Sequence, residues 1–163
     1  MLALPVIIHS QTKTFIKLTD PKNQLIKGES VTKGFEGWIM PLTTGSSGKN
    51  NTQYSFTMNI SIASADLKRA MASGELLMTG QINVMNSSFS AGAPKPVYNI
   101  KMEKIKVLTC TESLGCNGVM TTSVTLQATR IGWTYYQTDR TGTLAVSNKY
   151  GYDAETGTEW TNF

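Results

Sequence analysis

Histidine is all but missing from this 163-residue chain, which carries His9 alone. That removes most of the usual general bases and metal ligands at the outset. Cysteine is scarce as well: Cys110 and Cys116 are the only two. Two thiols and one remote imidazole do not complete a tetrahedral zinc shell without a carboxylate. Charge is sparse, at 16% of residues. The lysines are dispersed, and the densest group, Lys101, Lys104 and Lys106, is interleaved with Glu103. A formal net charge of +4 so spread is not the concentrated basic stripe that a nucleic-acid surface needs. No apolar run approaches the roughly 20 residues of a membrane-spanning helix. The opening MLALPVIIHS has no basic stretch, is broken by Pro5 and is followed by no small-residue cleavage site. It does not read as a secretory leader. The expectation is a soluble chain made in the cytoplasm, with no membrane insertion and no nucleic-acid partner, and any export bypassing the general secretory route.

Catalytic signatures are missing too. There is no GxSxG elbow, HExxH helix or P-loop. Glu36, Glu103 and Asp139 fall on different elements and read as surface carboxylates. The chain reads as non-enzymatic, without cofactor or metal.

What is present is β-sequence. Apolar residues at 40% and 14 glycines, with abundant Thr, Ser and Asn, suit many strands joined by turns. The length suits one domain spanning residues 1–163, with 1–14 as an N-terminal extension. Strict alternation of Tyr54, Phe56, Met58, Ile60 and Ile62 with polar neighbours predicts a half-buried strand. Phe15 to Leu18, the region of Ile82 and Val84, Val97 to Thr109, and Leu144 to Tyr152 predict others. Pro41 places an edge or an end after Trp38-Ile39-Met40. One helix is expected over Ala65–Ser73, capped by Ser64, with Gly74 past its end and Leu67, Ala70 and Met71 on its apolar face. Residues 43 to 52, TTGSSGKNNT, and 87 to 96, SSFSAGAPKP, read as loops. The first is polar and long enough to carry contacts through Thr44, Gly45, Ser46, Ser47, Gly48, Lys49 and Asn50.

The longest strand signal changes side partway along. Val124, Leu126 and Ala128 share one parity; after Arg130 the bulky residues Ile131, Trp133 and Tyr135 take the other. Tyr98, Ile100 and Met102 likewise give way to Ile105 and Val107. A strand does not move its apolar set across the sheet without an extra residue or a bend. Either these strands turn a barrel corner near Thr129-Arg130, or they bury one face internally and the other against a neighbouring subunit. They are joined by a loop spanning Thr111 to Val119. Cys110 and Cys116 flank its start, CTESLGC, close enough for a disulfide, although cytoplasmic synthesis favours free thiols.

The order of segments forms a pattern: FIKL (Phe15 to Leu18), KGES (Lys27 to Ser30), KGFEGWI (Lys33 to Ile39), a polar loop, an alternating strand, and a short helix ending in MASGE (Met71 to Glu75). It closes with SVTLQATRIGWTYYQTDRTG (Ser123 to Gly142) and GYD (Gly151 to Asp153). This resembles the haemolysin-coregulated protein (Hcp) family, whose members build the inner tube of the bacterial type VI secretion system. The motif residues carrying the resemblance are Gly28, Glu29, Ser30, Trp133, Tyr135, Gln137, Asp139, Gly151, Tyr152 and Asp153. The chain departs from the family pattern at Phe35, where His is usual, and at Pro41. The resemblance implies an all-β fold: an antiparallel β-barrel with one side helix, similar to phage tail-tube proteins. It further implies a homohexameric ring, rings stacked into an ejected tube, and effector proteins held in the lumen. Sheath, spike and baseplate components would be its machine partners. The route implied is from the bacterial cytoplasm to the outside or into target cells, without a cleaved signal peptide. The residues also allow a monomeric β-barrel with a small ligand inside, or a tail-tube subunit of another phage-like contractile particle.

Overall fold

The computed structural model describes residues 12–48, 52–86, 95–115, 118–139 and 143–163. The elements run β1 (Thr12–Leu18), β2 (Thr43–Ser47), β3 (Gln53–Asn59), α1 (Ile62–Ser73), β4 (Leu77–Asn86), β5 (Lys95–Leu114), β6 (Met120–Thr138), β7 (Leu144–Asp153) and β8 (Thr158–Glu159). They form one antiparallel sheet in the order β1-β4-β5-β6-β3-β2, with β7 and β8 attached beyond β6. The sheet curls into a half-barrel with the helix packed against it, the mainly-β architecture expected. The seam is drawn together by residues 39–42. Ile39 exchanges both backbone hydrogen bonds with Ile16 of β1, and the Leu42 amide donates to Thr57 of β3. Pro41, which has no amide hydrogen to offer, sits in this seam.

The parity switch is a corner. On β5, Met102 and Ile105 are both buried; on β6, Ala128 and Ile131 are. Glu103 pairs with Arg130 and Ile105 with Ala128, so both strands take their extra residue at the same level and the register survives. Lys104 absorbs the bend with φ at 50°, and the Thr129 hydroxyl donates to its carbonyl at 3.1 Å. β6 changes partners here: β3 lies beside it up to Gln127, and β7 from Arg130 onward. The apolar residues on either side of the bend belong to one core, with Val124, Leu126, Ala128, Ile131 and Trp133 in a single cluster with Ile100, Met102, Ile105 and Val107. The alternative, apolar faces on both sides of these strands, does not hold.

Several local expectations are corrected. β3 ends at Asn59, and Ile60 and Ile62 are 48% and 72% exposed. Their spacing continues the alternation, but the chain has already turned into the helix. That helix starts at Ile62 with Ser61 as its cap, and the Ser61 amide donates to Ser64 Oγ at 3.1 Å. Ser64 thus serves as the third helical residue of a capping box rather than as the cap. Gly74 closes the helix in the left-handed conformation, φ 69°, as expected. Ala63, Leu67 and Ala70 enter the core while Met71 stays outside. Residues 43–47, read as loop, pair with β3 as a fully exposed strand. Lys95 and Pro96 open β5 rather than close a loop; Pro96 sits where the β4–β5 register shifts, a position that tolerates its missing donor. The remainder of that loop, 87–94, lies outside the described residues. β5 runs on to Leu114, so the β5–β6 connection is shorter than Thr111 to Val119.

The corner is fastened by charge. Arg130 Nε donates to Asp153 Oδ2 at 2.7 Å, and Nη1 to Glu103 Oε2 at 3.3 Å. Lys104 pairs with Glu155 at 2.7 Å. Asp153 Oδ1 also accepts from the amides of Glu155 and Thr156. Arg130, followed by these amides, holds the Asp153 carboxyl below its ordinary value, against the opposing effect of burial. A depressed folded-state pKa contributes stability above the unfolded value, about 3.9, and loses it as pH falls through the lower folded value. Asp153→Asn is therefore expected to melt below the parent at pH 7, with the gap closing below about pH 4. Thermal melts at the two pH values check this; a gap that is constant across them contradicts the assignment.

Candidate assembly surface

The motif residues near the start fix a loop to the outside of β1. Gly28, Ser30, Gly37 and Trp38 form a small backbone ladder: Gly28 donates to Gly37, Ser30 to Trp38 and Gly37 to Ser30. A Cβ on Gly28 would lie 2.5 Å from the Ile39 backbone, so only glycine permits this approach. Glu29 Oε1 accepts from the Met40 amide at 3.1 Å, and Ser30, buried, accepts from the Thr32 amide. Phe35 stacks on Phe15 with ring centres 4.3 Å apart, and Trp38 meets Phe35 edge-on at 5.1 Å. The phenylalanine at the departing position is thus packing against the back of β1.

The concave side of the sheet carries residues in rows across the strands. Leu18, Gly80, Met102, Ile131 and Tyr152 form one, and Ile16, Ile82, Ile100, Trp133 and Tyr150 the next. The third, Thr14, Val84, Tyr98, Tyr135 and Asn148, lies at the open end. Burial fades along this progression: Trp133 is 7% exposed, but Tyr150 is 50% and Tyr135 46%. Trp133 stacks on Tyr150 at 5.7 Å, and Tyr98 meets Tyr135 at 4.7 Å with the rings tilted by 36°. The Tyr98 phenol is pushed well above its ordinary pKa, chiefly by burial and then by its hydrogen bond with Tyr135. The core thus continues into an aromatic shelf left half open. Trp133, a motif residue with two candidate roles, belongs to the core; Tyr135 is the one on the shelf. The strand pattern puts Tyr98 on one face with Ile100 and Met102, but gives neither it nor Tyr150 a place on a shelf. Only the cross-strand register, which one strand's pattern does not reveal, joins them to it.

The closing motif also holds backbone together. Gly151 pairs with Gly132 across β6 and β7, and Phe163 lies over both: a Cβ would come within 2.4 Å of its ring at Gly132 and 2.5 Å at Gly151. The tail is tied by the Trp160 amide to the Gly151 carbonyl at 3.0 Å. Lys149 donates to the Phe163 carbonyl at 2.7 Å and sits 4.2 Å from its ring centre. Tyr152 packs against the core. Gln137 is exposed near the end of β6. The Asp139 amide donates to the Thr143 carbonyl at 3.0 Å, and its Oδ1 accepts from the Thr143 amide at 2.8 Å.

Thr44, Gly45, Ser46 and Ser47 of the polar arm lie on β2, all exposed, and Gly48 turns with φ 85°. Lys49 and Asn50 lie outside the described residues. Cys110 is not beside the hairpin loop; it stands opposite Val124 within β5, buried, a free thiol near the Ser64 carbonyl. Burial pushes that thiol's pKa up. Cys116, its suggested partner, lies outside the described residues. Among the described residues no group of His, Cys, Asp or Glu is arranged to hold a metal, and no helix is long and apolar enough to cross a membrane. What the surface offers is contact: an aromatic shelf, the exposed edge of β2, and β7, exposed from Ala145 to Tyr150 and paired with β8 only at Tyr152 and Asp153.

Comparison with known proteins follows this geometry. The fold matches Hcp1 of Salmonella typhimurium with a TM-score of 0.72 at 19% identity, covering 92% of this chain and 100% of that one. A structure described as a type six secretion system protein gives 0.75 at 19%, again covering 92% and 100%. The secreted protein Hcp3 of Pseudomonas aeruginosa gives 0.64 at 20%, covering 85% and 98%. No sequence among curated proteins matches significantly. The model of the family "Type VI secretion system effector, Hcp" matches residues 15–135. The chain belongs to the Hcp family of type VI secretion system proteins.

Proposed function

We propose that this chain is the subunit of a type VI inner tube: six copies close a ring, rings stack, and the lumen carries effectors out of the bacterial cytoplasm. The aromatic shelf is the observation that carries the ring reading. Tyr98, Tyr135 and Tyr150 continue the core rows past the last cover that the described residues provide, and tyrosines held in ring contacts with one wet edge suit a protein interface. A closed ring needs two unlike patches on each subunit. The shelf beside β7 supplies one of them. The machine partners, sheath, spike and baseplate, follow from the family. The ligand-barrel reading gains no support, because Ile16, Leu18, Ile82, Ile100, Met102 and Leu126 fill the interior at no more than 1% exposure.

Ring and fold respond differently to two substitutions. Tyr135→Ser with Tyr150→Ser is expected to leave a folded chain that no longer forms rings. Trp133→Ala, within the core, is expected to cost about 3–5 kcal/mol of stability. Sedimentation of the parent as a ring near six subunits and of the tyrosine variant as a folded monomer supports the proposal; a parent that stays monomeric at high concentration refutes it.

The β2 arm is the surface proposed for contacts between rings. Its five residues bury no apolar side chain, so removing Gly45 to Asn50 is expected to preserve the fold and the ring while shortening tubes. Electron microscopy reads this directly: tubes of parental length from the deletion variant contradict the assignment.

A further inference from the structure

The back of the sheet, away from the core, carries its own rows. One runs Lys17, Gln81, Lys101, Gly132 and Gly151, each paired with the next across neighbouring strands. Phe163 covers the glycine half of this row. The other half stays open as a groove of about 550 Å³, floored by Gln81 and Lys101 and walled by the segment Trp160 to Phe163. Trp160 and Phe163 lean on each other at 4.9 Å, giving that wall an aromatic surface.

The charges in the groove do not balance. Lys149 is committed to the tail, donating to the Thr161 and Phe163 carbonyls. Glu103 is committed to Arg130. Among the described residues Lys17 meets only the Trp38 ring, at 5.8 Å, and Lys101 has no ion pair or hydrogen bond. Two lysines thus line one groove without an ion-pair partner among the described residues, and the carboxylate that shares the lining, Glu103, is taken by Arg130. Their Cα atoms lie two strand spacings apart, roughly 9.5 Å. In an extended peptide, residues i and i+2 project to one side about 6.5–7 Å apart, and flexible lysine stems span the difference.

We propose that this groove docks an acidic segment of a partner protein, an extended stretch with two carboxylates two residues apart. The carboxylates pair with Lys17 and Lys101, and the peptide stem lies along the Trp160–Phe163 wall. An acidic polypeptide fits better than a nucleic acid. Only two ammoniums are uncommitted, too few to answer the closely spaced charges of a continuous phosphate backbone. This surface is separate from both the shelf and the β2 arm, and the inference does not depend on ring formation.

The test uses the full chain and a fluorescein-labelled peptide of sequence Gly-Glu-Ser-Glu-Gly, followed by fluorescence polarisation at low salt. Binding is expected, with each of Lys17→Gln and Lys101→Gln weakening it about three- to five-fold, as exposed ion pairs do, and the double variant by their product. Added salt is expected to weaken it further. Lys13→Gln with Lys106→Gln, away from the groove, is expected to leave binding unchanged. No binding, equal binding of the Gly-Gln-Ser-Gln-Gly peptide, or an undiminished double variant overturns the proposal. So does tighter binding of an oligothymidine through the same two lysines, which makes the occupant a nucleic acid. Loss of self-association in the double variant, without peptide binding in the parent, makes it a second copy of the chain and overturns it too.

Discussion

The bend shared by β5 and β6 is the constraint on which the rest of the molecule depends. One extra residue in a single strand would slip the register and carry every later side chain to the wrong face. Here both strands bend at the same level, Lys104 on one and Thr129–Arg130 on the other. The pairing therefore continues, and Ile100 and Trp133 face the same interior as Val107 and Leu126. The bend also frees β6 to exchange β3 for β7, which lets one long hairpin serve both halves of the curl. Arg130 reaches a carboxylate on each flanking strand, Glu103 and Asp153, so the place where the two strands bend is also where side chains cross-brace it.

Much of this was legible in the sequence, because the cause is local to each strand. The reversal of parity after Met102 and after Ala128 is visible in the residue order, and a corner was one of its two explanations. What decided between them is not local: only the register shows that the two breaks lie opposite each other. The same distinction separates the other successes and failures. The glycine ending α1 and the alternation from Tyr54 to Met58 were read correctly because they depend on neighbours in the chain. The exchange from strand to helix at Ser61 was missed because Ile60 and Ile62 keep the two-residue spacing although both are solvent-exposed. β2 was missed because Thr, Ser and Gly with no apolar face look like loop; the strand exists through its hydrogen bonds to β3 rather than through burial.

The motif residues that carried the resemblance prove mostly to be devices of backbone approach. Gly28 lets one chain segment lie against Ile39, and the Gly132–Gly151 pair makes room for Phe163. Glu29 and Asp153 accept from amides, while Ser30 is buried in the turn that Gly28 opens. A pattern of this kind reports fold, which agrees with structural relatives near 20% identity retaining the same architecture.

Tyr135 and Tyr150 show why the surface function was harder to see than the fold. On one strand, an exposed tyrosine is unremarkable, since most protein surface is apolar in part. Their meaning comes from position: each is the outer member of an aromatic pair whose inner member is Trp133, in the core, or Tyr98, packed against it. A ring already held on one face loses little side-chain freedom when a second surface covers the other, so association here avoids much of the ordering cost that interfaces usually carry. The groove behind the sheet works on the opposite principle. Lys17 and Lys101 are long, hydrated and loosely held, which makes contact there weak, salt-sensitive and reversible. On the proposed reading, one molecule presents a pre-ordered apolar surface for lasting assembly and a charged one for transient capture, on opposite faces of the same strands.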